Sequence, residues 1–156
     1  MKYLTLLIFF IAINVHAKQE LQIPRFVSIK SSEANIRTGP NVRYPIKWVF
    51  VKKNEPVEIV AEFEHWRKIR DKSGDEGWVH ESMLSGKRNA IIIGDKKQIA
   101  FNKPSINASG VFFIEPEVRV ELLLCNNKWC KISVENMKAW IDRSILWGIY
   151  KDEEIK

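Results

Sequence analysis

The sequence predicts an all-β chain of two small barrels in tandem, preceded by a cleavable signal peptide. Three observations carry this expectation. The first seventeen residues have the composition and order of an export signal. The rest reads as short alternating runs of apolar and polar residues separated by turn residues, with no convincing helical period. Finally, one block of the chain occurs twice, and the two copies fill the chain beyond the signal.

Taken in order, residues 1–17 come first. Lys2 gives a positive start, residues 4–15 are almost wholly apolar, and Val15-His16-Ala17 fits a small-x-small cleavage rule, so cleavage is expected near Ala17. A dozen apolar residues make ~18 Å of helix, against a hydrocarbon core of ~30 Å. An export signal therefore fits better than an anchor, and no integral membrane segment is expected after cleavage. The 156 residues carry a formal charge of +6, and loss of Lys2 leaves +5. That modest excess favours weak attraction to anionic polymers and does not indicate nucleic acid. The protein is expected to be periplasmic or secreted. With 28% charged and 46% hydrophobic residues, most of the chain reads as globular.

Residues 18–25 read as a short leader around Pro24. The first module is assigned to residues 26–89. It opens on Ala34-Asn35-Ile36-Arg37-Thr38-Gly39-Pro40, a turn-forming stretch, and continues through Tyr44 and Pro45 into Trp48-Val49-Phe50-Val51, which reads as a strand. After a turn at Lys52-Lys53-Asn54, residues 57–63 alternate as a half-buried strand should. A hairpin containing Trp66 comes next, then a turn at residues 71–75, a strand at Gly77-Trp78-Val79 and a short turn ending at Leu84. Residues 85–89 form the junction. Residues 90–93 are expected to finish the first module and lead directly into the second, which is assigned to residues 90–150.

The second module repeats the first. Glu64-His65-Trp66-Arg67-Lys68-Ile69 returns as Asn127-Lys128-Trp129-Cys130-Lys131-Ile132, and the block from Gly77 to Leu84 returns from Ala139 to Leu146 with Trp140 in place of Trp78. An alternating run at residues 118–122 precedes it, as residues 57–63 precede Trp66. Trp147 is expected to pack at the end of the second barrel, and residues 151–156 read as a solvated tail.

Cys125 and Cys130 flank the turn Asn126-Asn127-Lys128 between two expected strands, which lets the sulfurs face each other across a hairpin. In an oxidising compartment a disulfide is the favoured reading. Zinc would want two further ligands, and only His65 and His80 remain after cleavage, in another segment. A redox-active pair is more often spaced C-x-x-C.

The first copy resembles the bacterial SH3-like (SH3b) family. Its Asn35-x-Arg37-x-Gly39-Pro40 looks like that family's opening signature, and the Trp66 hairpin and Gly77-Trp78-Val79 come after it in the family's order. The second copy is similar in its later half. Its opening, Ile99-Ala100-Phe101-Asn102-Lys103-Pro104, lacks the signature, and Ala139-Trp140-Ile141 replaces Gly-Trp-Val. The tandem looks like a group of exported SH3-like proteins of Gram-negative bacteria. The resemblance implies barrels of about five strands that bind peptidoglycan or wall peptides, usually beside a wall hydrolase.

The candidate ligand-binding residues are Asn35, Arg37, Tyr44 and Trp48. Asn35 can bond nearby backbone, and Gly39 can supply a positive φ, so the motif has a loop-folding role as well. Arg37 could instead offer its planar fork to a ligand carboxylate. Tyr44 and Trp48 could line a groove for a peptide or a sugar face. Trp66, Trp78, Trp129 and Trp140 recur in both copies and are assigned to core packing. His65 and His80 match Lys128 and Asp142 in the other copy and read as exposed, replaceable positions. No phosphate loop, G-x-S-x-G, H-E-x-x-H or C-x-x-C occurs, so no catalytic residue, metal or cofactor is assigned. The expected function is a non-enzymatic envelope binding module for peptidoglycan or a wall peptide. The alternative is an envelope protein–protein adaptor without wall affinity.

Overall fold

The computed structural model describes residues 21–156, so the expected signal peptide lies outside the described residues. The first sheet is built from β1 (Arg25–Ile29), β2 (Ala34–Arg37), β3 (Ile46–Phe50), β4 (Pro56–Phe63), β5 (Trp66–Arg70), β6 (Glu76–His80) and β7 (Leu84–Ser85). The second contains β8 (Asn89–Ile92), β9 (Gln98–Phe101), β10 (Gly110–Ile114), β11 (Arg119–Cys125), β12 (Trp129–Val134), β13 (Met137–Asp142) and β14 (Leu146–Trp147). A single 3₁₀ turn precedes the last strand of each, at Glu81–Met83 and Arg143–Ile145. The strand order β3-β2-β6-β5-β4-β1-β7 recurs as β10-β9-β13-β12-β11-β8-β14, all antiparallel. The tandem all-β expectation is met.

Each sheet curls round its own core. Val27, Ile29, Ala34, Ile36, Val57, Ile59, Ile69 and Val79 form the first, with Trp48 and Phe50 packed at its edge. Ala90, Ile92, Ile114, Val120, Leu122, Ile132, Ile141 and Leu146 form the second, with the buried cysteine pair. These are the inward positions of alternating strands, as period-2 patterning requires.

Two expectations about boundaries need correction. Residues 90–93 do not finish the first module. Asn89–Ile92 is the first strand of the second sheet, pairing with β11 and β14. All four of its residues are buried, because one face joins the second core and the other lies against the first module. That two-sided burial explains an apolar run without alternation.

The stretch 151–156 is also not a free tail. Ile155 exchanges backbone hydrogen bonds with Cys125, donating at 3.1 Å and accepting at 2.9 Å. The Glu153 carboxylate accepts from Arg88, and its carbonyl accepts from Arg143 at 2.6 Å. Two guanidiniums and a bridge pin a segment whose composition alone reads as solvated.

The modules touch along β1, β4 and β8. Phe26 packs edge-on against Trp147 (centroids 5.2 Å) and at a 41° tilt against Tyr150 (4.8 Å). Tyr150 donates its hydroxyl to Glu58 at 2.7 Å. Asn89 Nδ2 donates to Ser28 Oγ at 2.9 Å, and Arg119 pairs with Glu55. Trp147 therefore packs between the modules, not merely at the end of the second barrel.

Candidate functional site

Of the four candidate ligand-binding residues, the structure gathers Arg37 and Tyr44 at the β2–β3 hairpin and separates their roles. Arg37 Nη1 donates to the Tyr44 carbonyl at 2.8 Å, so the guanidinium holds the loop. Thr38 N–H donates to Pro45 O at 3.0 Å, and Asn41 Oδ1 accepts from the Arg43 amide at 3.0 Å. Gly39 is needed for space and not for a positive φ. A Cβ built there would lie 2.6 Å from the Tyr44 ring, whereas the positive-φ glycines are Gly74, Gly94 and Gly148. The signature therefore stacks a tyrosine ring on a glycine backbone and ties the stack with an arginine.

Tyr44 keeps 47% exposure. With Pro40, Asn41, Arg43 and Phe63 it lines an open cleft of about 440 Å³. Arg43 has no ion-pair partner among the described residues, and Phe63, at the end of β4, is 52% exposed. Reading from sequence missed both. An exposed Phe at the end of an alternating run, beside a turn, was the available signal.

Trp48 and Asn35 lie away from this cleft's lining. Trp48 packs against the first core, edge-on to Phe50 at 6.1 Å, with its Nε1 buried and without a hydrogen-bond partner among the described residues. Lys47 Nζ sits 5.3 Å from its ring centroid and donates to Glu76 O at 2.9 Å. Asn35 is half-buried on β2, opposite Val49.

The four recurrent tryptophans fall into two kinds. Trp66 and Trp129 are buried, edge-on to His80 (5.5 Å) and Phe101 (5.8 Å) respectively. Trp78 and Trp140 are only half-buried and alternate out of phase with the core positions of β6 and β13. They stand opposite Arg37 and Lys68, and opposite Phe101 and Lys131.

His80 caps the first 3₁₀ turn, its Nδ1 accepting from the Ser82 amide at 3.2 Å, and Asp142 does the same for Ser144 at 2.8 Å. The two residue types are interchangeable because an acceptor at the N-cap is the shared requirement. His65 bonds Glu81 at 2.8 Å, and Arg67 pairs with both Glu81 and Glu62. No cluster of three or more metal-binding side chains occurs among the described residues.

Cys125 and Cys130 form a disulfide. They sit directly opposite on β11 and β12, the positions that Glu62 and Arg67 occupy on β4 and β5. The second module also has its own groove of about 480 Å³, lined by Ile99, Phe101, Ile106, Trp129, Ile145 and Lys128 among others. In ladder register Phe101 stands where Arg37 does, each opposite the outer Trp of its module.

The family model described as "Bacterial SH3 domain" matches residues 30–86 and again 94–148. A curated protein whose name makes it a candidate N-acetylmuramoyl-L-alanine amidase, YrvJ, of Bacillus subtilis (strain 168) is 24% identical over 123 residues. That match takes in 72% of this chain and 24% of YrvJ, so the chain spans about a quarter of its relative's length. Among solved structures, NlpC2 of Trichomonas vaginalis aligns with a TM-score of 0.37 and 11% identity, over 82% of this chain and 49% of that one. An NlpC/P60 family protein of Bacillus cereus aligns at 0.36 and 14%, over 78% and 55%.

Proposed function

Because the chain belongs to the bacterial SH3 domain family, matched in both of its modules, we propose that it is a non-enzymatic envelope protein that binds peptidoglycan or a wall peptide. The cleft of the first module supports this reading. Tyr44 and Phe63 offer two exposed rings, and Arg43 adds an uncommitted guanidinium for a stem-peptide carboxylate. Arg37 and Gly39 hold the loop that presents them. The relative's name, which refers to a muramoyl amidase, lends support to the wall-related part of the reading. A disulfide suits an exported chain. No described helix is long and apolar enough to cross a membrane.

The test is co-sedimentation of the chain from residue 18 with purified peptidoglycan sacculi at low and moderate salt. Retention is expected to survive moderate salt and to fall at least about tenfold in Tyr44→Ala and Arg43→Ala, a loss of ~1.4 kcal/mol. Retention that salt abolishes, or that both variants share with the parent, would remove the wall site and favour the adaptor reading.

A further inference from the structure

The outer face of the β9–β10 hairpin differs sharply from its counterpart in the first module. Ladder register aligns Ile99, Phe101, Val111 and Phe113 with Asn35, Arg37, Lys47 and Val49. Three polar residues of the first module have thus become apolar. Phe113 is 70% exposed, Val111 49% and Ile99 42%, and Ile106 in the same hairpin is 76% exposed. Single exposed apolar residues are ordinary, but a contiguous set on one strand pair marks a contact surface.

The backbone adds a second observation. Among the described residues β10 ends its sheet and pairs only with β9, so one edge of its peptide groups is unpaired there. Edge strands are commonly protected by a lysine. The first module has one, Lys47 on β3. The strand Gly110-Val111-Phe112-Phe113-Ile114 has no charged residue at all.

We propose that β10 is a self-association edge on which a second copy of this chain pairs antiparallel. An antiparallel edge is complementary to itself through a two-fold axis. With that axis at Phe112, Val111 of one copy lies opposite Phe113 of the other, and the apolar outer face runs on across the joint. Charge permits the approach. Residues 89–156 hold ten basic and nine acidic side chains, against thirteen and nine in residues 25–88. Second modules meet with little repulsion, whereas first modules repel. A five-residue edge is short, which places the contact among small interfaces and its dissociation constant on the order of 10 µM.

The experiment is sedimentation velocity on the chain from residue 18, from about 1 to about 200 µM, where a ~10 µM dimer goes from mostly monomer to mostly dimer. The parent is expected to make that shift. Phe113→Lys should stay monomeric throughout with an unchanged circular dichroism spectrum. Val49→Lys, the same change at the equivalent first-module position, should dimerise like the parent. A monomeric parent, a dimerising Phe113→Lys variant, or equal loss in Val49→Lys would each overturn the proposal. So would a monomeric parent that pellets with vesicles of anionic lipid through Phe113, since the face would then belong to a membrane surface. Phe113 lies outside the Tyr44 cleft, so wall retention and dimerisation fail independently.

Discussion

Gly77 and its counterpart Ala139 show how a motif can be altered without loss of the fold. A Cβ at Gly77 would lie 2.4 Å from Ile36 Cγ2, 3.1 Å from the Arg37 carbonyl and 3.2 Å from Trp48. In ladder register the second module has Ala100 where the first has Ile36, and Phe112 where it has Trp48. The extra methyl of Ala139 takes the space that smaller neighbours leave. Gly77→Ala is therefore expected to overpack the first core and cost roughly 1–3 kcal/mol in urea denaturation. Ile36→Ala alone opens a cavity and costs roughly 2–4 kcal/mol. The double variant should be more stable than the sum of the two losses by at least ~1 kcal/mol, because each change relieves the other. Additive losses would show that the two side chains do not share this space. Gly39 obeys a related rule with a functional end. Gly39→Ala would push the Tyr44 ring off its stack, and sacculus retention is expected to fall as in Tyr44→Ala while the melting temperature changes little.

At the scale of strands and hairpins, the repeat was legible because tryptophans and turn residues mark it, and the order of the strands derives from that. Asn35-x-Arg37-x-Gly39 was legible as a loop, but the partner of Arg37 is a carbonyl seven residues away, which no composition reveals. The cleft was only half legible. Phe63 joins it through the fold of β4 across the hairpin, a contact set by tertiary structure. Asn89–Ile92 misled because a strand buried on both faces loses its alternation. Substitution across the repeat also trades one cross-strand device for another. Glu62 and Arg67 form an ion pair at 3.2 Å where Cys125 and Cys130 form a covalent bond. With Arg67 buried and Glu62 partly exposed, the attraction within that pair is largely offset by the cost of desolvating the guanidinium. Closing the short loop covalently contributes ~2 kcal/mol in the chain-entropy model. Cys125→Ala with Cys130→Ala should thus lose about 2 kcal/mol. Its urea midpoint should also become indifferent to reductant, whereas the parent's falls on reduction. An unchanged midpoint in the double variant would mean that the hairpin is held by packing and the C-terminal bridge alone.

The whole molecule is joined by an interface in which aromatic and ionic contacts converge near Phe26. Phe26 meets Trp147 and Tyr150, and the Arg88 guanidinium lies 5.9 Å from its ring centroid. Phe26→Ala should cost about 2–3 kcal/mol and split a single calorimetric transition into two, one for each core. A single transition in the variant would show that β8 and the ionic contacts couple the modules without the ring. Arg88 continues to Glu153, whose carboxylate also accepts from the Tyr150 amide at 3.1 Å. Burial alone would push Glu153 up. The Arg88 and Tyr150 hydrogen bonds, with the charges of Arg88 and Arg143, outweigh it and hold the carboxyl below its ordinary range. A carboxyl depressed in the folded state stabilises the fold above its unfolded pKa, ~4.3. That contribution is lost as the pH falls through the lower folded value. Glu153→Gln is therefore expected to be less stable than the parent by roughly 1–3 kcal/mol at pH 7. The difference should narrow steadily below about pH 4, as the parent's own Glu153 takes up a proton and releases Arg88. Chemical denaturation of both proteins at pH 7, 5 and 3 reads this directly. A gap that stays constant with pH would assign the loss to packing around residue 153, and the charge on the carboxylate would have no part in pinning the C-terminal segment.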